Sequence, residues 1–214
     1  RNEKGLRTMF SKNEIRLNNE WFSGEPDLGE TGVGIKNWKE GWDTKCSWDL
    51  TTFPFPDDKL DPNYECQNQV YMNLTGAKKW TTVYVLVNCT EHQLNNEKLK
   101  WFYAFNQPDE DTEDYQKYVQ KCREVERMMI FDYDRFVKIF PYHDLSHSKH
   151  DWFETVNPAT GLKGFDIPLE ERIVEKVTEY DEPFIDELKE RIVIAREYLN
   201  KINKQWLLKL KEYI

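Results

Sequence analysis

With 214 residues the chain is long enough for one substantial domain with its own hydrophobic core. Hydrophobic residues at 39% and charged residues at 32% exclude a disordered polymer. A net charge of −9 excludes broad electrostatic coating of nucleic acid. A local basic track is still compatible with that total, because much of the acid sits at 108–114 and 166–190. Lys36, Lys39, Lys45, Lys78 and Lys79 lie elsewhere. No stretch approaches the ~18 uninterrupted apolar residues of a membrane span, and no signal-peptide pattern opens the chain. The expectation is a soluble, cytoplasmic protein without membrane partners.

In chain order, Asn13–Phe22 alternates imperfectly and reads as one or two strands leading to the turn Ser23-Gly-Glu-Pro-Asp27. Trp38–Cys46 reads as the next strand, and a connection rich in proline (Pro54, Pro56, Pro62) follows. Asn63–Thr75 carries Tyr64, Val70, Tyr71 and Leu74 at helical spacing, with Gly76 as its stop. Trp80–Val87 is β-branched and aromatic and reads as a buried strand. Helices are expected over Glu91–Phe105 and Asp111–Met129, an irregular loop or insertion over 142–164, and a strand over Arg172–Glu179. From Pro183 a long amphipathic helix carries Phe184, Leu188, Ile192, Ala195, Leu199, Ile202 and Trp206 on one stripe, read as packing against the sheet or another subunit. The order predicts an α/β fold with a central mixed sheet, flanking helices and a long C-terminal helix.

Several candidate sites are set aside. Cys46, Cys66, Cys89 and Cys122 lack CxxC spacing and read as reduced thiols; they also lack the pattern of an iron–sulfur cluster. The sequons at Asn73 and Asn88 read as chance. His143, His147 and His150 would align on a helix as a zinc face, but Pro141 and the polar surroundings favour a surface loop that binds no metal. Gly32-Val-Gly34 is too little for a phosphate loop, and no internal repeat is present.

The chemistry concentrates in Asp27 and the triplet Asp43-Thr-Lys45. On a strand, residues i and i+2 share a face, so Asp43 and Lys45 project into one space. Two carboxylates form a hard oxygen site for Mg²⁺ or Mn²⁺. Such an ion would polarise a phosphodiester and acidify a bound water, while Lys45 orients that water or offsets charge on the phosphate. Taken singly, an Asp-x-Lys triplet is common on solvated strands and Gly-Glu-Pro-Asp is an ordinary turn. Their order and context give them weight.

Ser-Gly-Glu-Pro-Asp27, Trp-Asp-Thr-Lys45, the helix Tyr-Glu-Cys-Gln-Asn-Gln-Val-Tyr-Met72 and the strand after Gly76 together resemble the PD-(D/E)xK nuclease superfamily. The chain is most similar to the YqaJ-like viral recombination exonucleases, which include lambda exonuclease. Lys45-Cys-Ser-Trp-Asp49, Thr52-Phe-Pro54 and Glu91-His92 match motifs of phage members. The resemblance runs from about Lys12 to Leu94 and recurs weakly near 167–199. It implies a single restriction-endonuclease-like domain over 1–214. Asp27 and Asp43 would be the metal carboxylates, the Thr44 carbonyl a further ligand, and Lys45 the catalytic lysine. Gln67 would approach the site from the helix, with Gln69, Tyr71 and Ser47 as DNA contacts. Gln67 and Tyr71 form an i,i+4 pair and can share one face; for Tyr71, simple packing is an equal alternative.

Two departures stand out. The triplet uses Asp where Glu is commoner, which requires the strand to sit closer. The family's upstream acidic helix has only eleven residues available before Lys12, so it is expected to be missing, with Glu3 as a substitute. The implied activity is Mg²⁺- or Mn²⁺-dependent 5′-to-3′ double-strand DNA exonuclease action, feeding a single-strand-annealing recombinase, in a protein that forms a ring-shaped homo-oligomer. A single-strand nuclease or endonuclease of the same superfamily, and a non-catalytic DNA-binding or virion protein, remain open alternatives.

Overall fold

The computed structural model describes residues 10–30, 32, 34–132, 135, 138–139 and 167–211. A five-stranded sheet has the order β1-β4-β5-β6-β7, with β1 Phe10–Lys12, β4 Leu28–Glu30, β5 Glu40–Ser47, β6 Lys79–Leu86 and β7 Ile173–Glu179. A separate two-residue pair joins β2 Leu17–Asn18 to β3 Ser23–Gly24. The pairs β1–β4 and β4–β5 are antiparallel. Lys78 N donates to Lys39 O at 3.0 Å and Val87 N to Ser47 O at 2.8 Å, so β5 and β6 run parallel. Tyr180 N donates to Lys78 O, which joins the end of β7 to the start of β6 and makes that pair antiparallel. The sheet is therefore mixed, as the sequence leads one to expect.

The chain divides into two compact units. The first comprises Arg1–Thr44, Lys59–Val83 and Glu175–Ile214. Its helix α1 (Pro62–Thr75) begins where the Asp61 carboxylate accepts from Asn63 N and Pro62 pre-sets the first turn. It ends at Gly76, whose φ of 85° is the left-handed conformation glycine accepts at little cost. Apolar packing joins Leu74 to Leu17, Phe22 and Ile185, and Met72 to Trp38, Ala77 and Trp80. Two buried amides add a polar layer. Asn68 Nδ2 donates to Thr82 Oγ1 and Thr178 Oγ1 at 2.9 and 3.0 Å. Gln69 Nε2 donates to Glu179 O and its Oε1 accepts from Asp181 N.

The last helix of this unit, α4, spans Glu182–Lys211. Ile185, Leu188 and Ile192 join the core, but Ile194, Tyr198, Leu199 and Trp206 are exposed. The expected stripe thus packs only over its first turns. The reason is length: thirty helical residues extend ~45 Å, whereas an eight-residue strand spans ~26 Å.

The second unit comprises Lys45–Asp58 and Tyr84–Val174. Helix α2 (Glu91–Ala104) starts with a capping box between Thr90 and Gln93, and α3 spans Glu113–Met129. Lys98 pairs with Glu126, and Lys121 sits over the Trp101 ring, so the two helices run antiparallel. Cys89, Leu94, Val125, Met129 and Ile130 form the core between them. Leu86, Phe131 and Ile167 form another core with Leu50 and Phe53. Arg172 ties this end together, donating to Ile167 O, Phe131 O and the Asp132 carboxylate. Burial works to raise the Asp132 pKa. Hydrogen bonds from Asn88, the Arg135 backbone and Arg172 outweigh it and hold the carboxyl below its ordinary value.

Among the described residues, no helix is long and apolar enough to cross a membrane. The segment 142–164 lies outside them.

Candidate active site

Asp27 owes its position to a strand that the sequence pattern does not announce. β4 pairs with β5 in the register Leu28↔Trp42 and Gly29↔Gly41, and the next position along that register sets Asp27 opposite Asp43. On the other side of β4 the register with β1 continues in the same way, since Asn13 N donates to Asp27 O at 2.8 Å. Directly opposed residues of an antiparallel pair share a face, with Cβ atoms ~5 Å apart. The two carboxylates therefore project together. Asp43 is buried, at 1% exposure, whereas Asp27 is exposed. The pair has an inner and an outer member.

Asn13, which sequence reasoning passed over, fastens the turn before Asp27. Its Nδ2 donates to Pro26 O and Ile15 O, and its Oδ1 accepts from Ile15 N. An asparagine closing on the backbone two residues ahead is an Asx turn. The only sequence signal for it was one Asn among several.

Two residues inward from the aspartates, Gly29 and Gly41 face each other beneath a pair of indoles. A Cβ on Gly29 would lie 2.1 Å from the Trp38 ring, and one on Gly41 2.1 Å from the Trp80 ring. The indoles lie 6.5 Å apart, centroid to centroid. Glycine is required at both places because the rings rest directly on the backbone. Residues 27, 29, 41 and 43 alternate onto one face of the sheet, the face on which Trp80 meets Tyr71 of α1 at 5.3 Å.

From that helix, Gln67 Nε2 donates to Tyr71 Oη at 2.8 Å, so the i,i+4 pair forms as expected. Tyr71 also packs against Gly24 and Trp80, the packing that the sequence offers as one of its two readings. Gln69 is different. It is 2% exposed, and its amide bonds to the backbone at Glu179 and Asp181. These contacts place it in the seam between α1 and β7.

Lys45 follows Asp43 by two residues on β5, within the alternation that buries Gly41, Asp43 and Ser47, and is itself half-buried. Thr44, between them on the strand, projects to the other side and is exposed. Ser47 is 9% exposed, and its hydroxyl donates to Thr52 O at 3.3 Å while its carbonyl accepts from Val87. His92 contacts Asn96 on its own helix at 3.1 Å, the local hydrogen bond expected of it.

A hard dication needs oxygen donors, and the opposed Asp27 and Asp43 carboxylates are of that kind. Among the described residues no group of three or more His, Cys, Asp or Glu side chains converges on one point, so the acidic part of the site there is this pair. Glu3 and the three histidines 143, 147 and 150 lie outside the described residues.

The sheet order, the helix over the aspartate face and the long final helix define an α/β fold with a central mixed sheet. It is similar to the crystal structure of a phage-related exonuclease from Haemophilus somnus 129PT, with a TM-score of 0.54 and 21% sequence identity. The match covers 92% of this chain and 63% of that one, so the chain spans less than two thirds of that protein's length. No family model and no curated protein matches the sequence.

Proposed function

We propose that this chain is a divalent-metal-dependent DNA nuclease. The observation that carries this reading is the register placing Asp27 opposite Asp43 on the sheet face where α1 presents Gln67 and Tyr71. The likeness of the fold to a phage-related exonuclease supports it.

Asp27, Asp43 and the Thr44 carbonyl would hold Mg²⁺ or Mn²⁺, which when bound polarises the phosphodiester and lowers the pKa of a bound water. Lys45 donates no oxygen to that set. Its ammonium orients the attacking water and offsets negative charge growing on the phosphate. Hydrolysis joins the water oxygen to phosphorus and breaks one P–O bond, the water proton leaving with the departing oxygen. Gln67, anchored on Tyr71, positions the DNA from the helix side. Ser47, through its place near the end of β5, supports the strand that carries Lys45. The substrate in this reading is double-stranded DNA degraded from 5′ to 3′, in the service of a single-strand-annealing recombinase. The working form is a ring-shaped homo-oligomer.

End-labelled duplexes test the proposal. Wild type should degrade them only with Mg²⁺ or Mn²⁺, and Lys45→Ala should abolish cleavage while retaining metal binding. Asp27→Asn and Asp43→Asn should each weaken metal binding in calorimetry and lower activity by orders of magnitude. The double variant should be little worse than either single one, because the two act as a unit. Absence of metal-dependent cleavage of any DNA by wild type would refute the nuclease reading.

A further inference from the structure

A recess of about 530 Å³ opens in the first unit where β5 and β6 begin, lined by Lys36, Lys39, Lys78 and Lys79 around Trp38 and Glu40. Its base is stiff. Lys78 N donates to Lys39 O, Tyr180 N donates to Lys78 O, and Trp38 is buried. Four ammonium groups gather here in a chain with 39 acidic and 30 basic residues, so a patch drawn at random would be negative.

The local acids do not neutralise the cluster. Glu40 lies 3.7 Å from Lys79 with both side chains over two-fifths exposed, a surface pair worth little. Glu30 accepts from the Lys39 backbone N–H. Lys78 sits 4.4 Å above the Tyr180 ring, which orients its cation without discharging it. Among the described residues no carboxylate makes an ion pair with Lys36 or Lys39.

We infer that this recess is a phosphate-binding track that holds the backbone of the DNA substrate; the inference rests on the nuclease reading. Lys39 precedes Asp43 by four residues, ~13 Å of extended chain. That is about four phosphate steps of one DNA strand along the helix axis. One duplex that contacts both the lysines and the aspartate pair would hold the lysines a few nucleotides from the scissile bond. Lysine–phosphate contacts position DNA and carry no sequence information of their own.

The test is duplex binding by the full chain without divalent metal, as a function of salt. Each lysine–phosphate contact contributes ~0.9 to the slope of log K against log salt. The quadruple variant K36Q/K39Q/K78Q/K79Q should lower that slope by ~3.6 and weaken binding at least about tenfold at low salt. Replacing the same four lysines by arginine should preserve the slope. As a control for net charge, K117Q/K121Q/K201Q/K204Q removes four charges elsewhere and should leave it within about one unit. An unchanged slope in the recess variant, or an equal fall in the control, overturns the inference. If wild type cleaves DNA while the recess variant keeps its slope, the recess reading fails alone. If the slope falls as expected but wild type never cleaves, the nuclease reading fails and the recess stands as a DNA-binding surface.

Discussion

Replacing Gly41 by alanine adds one methyl group at the tightest point of the sheet face. The new Cβ would lie 2.1, 2.3 and 2.5 Å from three atoms of the Trp80 ring, where ordinary contact begins at 3.4 Å. The ring must therefore withdraw by ~1.3 Å or the strand must bend. Trp80 is fully buried and hemmed in by Trp38, Met72, Ala77 and Tyr71, so withdrawal disturbs its whole cluster. Overpacking typically costs ~1–3 kcal/mol, and three simultaneous clashes against an enclosed indole put this substitution near ~3 kcal/mol. That is a large part of a total stability of ~5–15 kcal/mol. With a urea slope near ~2 kcal/mol/M, the midpoint should fall by ~1.5 M. Trp80→Phe withdraws the clashing benzo ring. In the double variant Gly41→Ala/Trp80→Phe the two losses should add to less than their sum, because the methyl then enters vacated space. A Gly41→Ala protein within ~0.5 kcal/mol of wild type, or a double variant with fully additive losses, would refute the packing argument.

Two further predictions concern buried polar contacts. Asn68→Ala strands the hydroxyls of Thr82 and Thr178, and Gln69→Ala strands Asp181 N–H. Each should cost about 2 kcal/mol; urea midpoints matching wild type would show that water replaces these bonds freely. Arg172→Ala should destabilise the second unit most above about pH 4, where Asp132 is ionised in both folded and unfolded chains. Because the folded-state pKa of Asp132 is lowered, its contribution is present above the unfolded value and is lost as pH falls through the folded one. The penalty measured by denaturation should therefore shrink on acidification, and a penalty independent of pH would place the role of Arg172 entirely in its carbonyl contacts.

The sequence announces elements whose stability is local. α1 carries its own start at Asp61-Pro62 and its own stop at Gly76, and Thr90 with Gln93 announces α2. β6 shows itself through a run of bulky residues. β1 and β4 are silent because three residues each have no periodicity to display; they exist through their partners. The expected strands over Asn13–Phe22 shrink to two residues at Leu17–Asn18, because the Asx turn at Asn13 and another at Asn19 take over the backbone bonds. At the site, the spacing of Asp43 and Lys45 is legible from strand alternation, and Gln67 with Tyr71 from helical spacing. The opposition of Asp27 to Asp43 is not, since register depends on β4. Nor is the need for Gly29 and Gly41, whose tryptophan partners lie 9 and 39 residues along the chain. Gln69 looks like a second surface amide beside Gln67; only the tertiary fold turns it toward β7.

The underside of α1 gives that helix an address as well as an adhesive. Apolar contacts tolerate sliding and rotation, whereas amides and hydroxyls demand particular partners at particular angles. Turning α1 by one residue, ~100°, would carry Asn68 away from its two threonines and Gln69 away from its two backbone groups at once. The helix therefore has one admissible rotation on the sheet. That rotation determines where Gln67 and Tyr71 emerge on its other flank, so the helix side of the candidate site is aligned before any substrate arrives. Residues on that flank can then be exchanged while the helix keeps its seat.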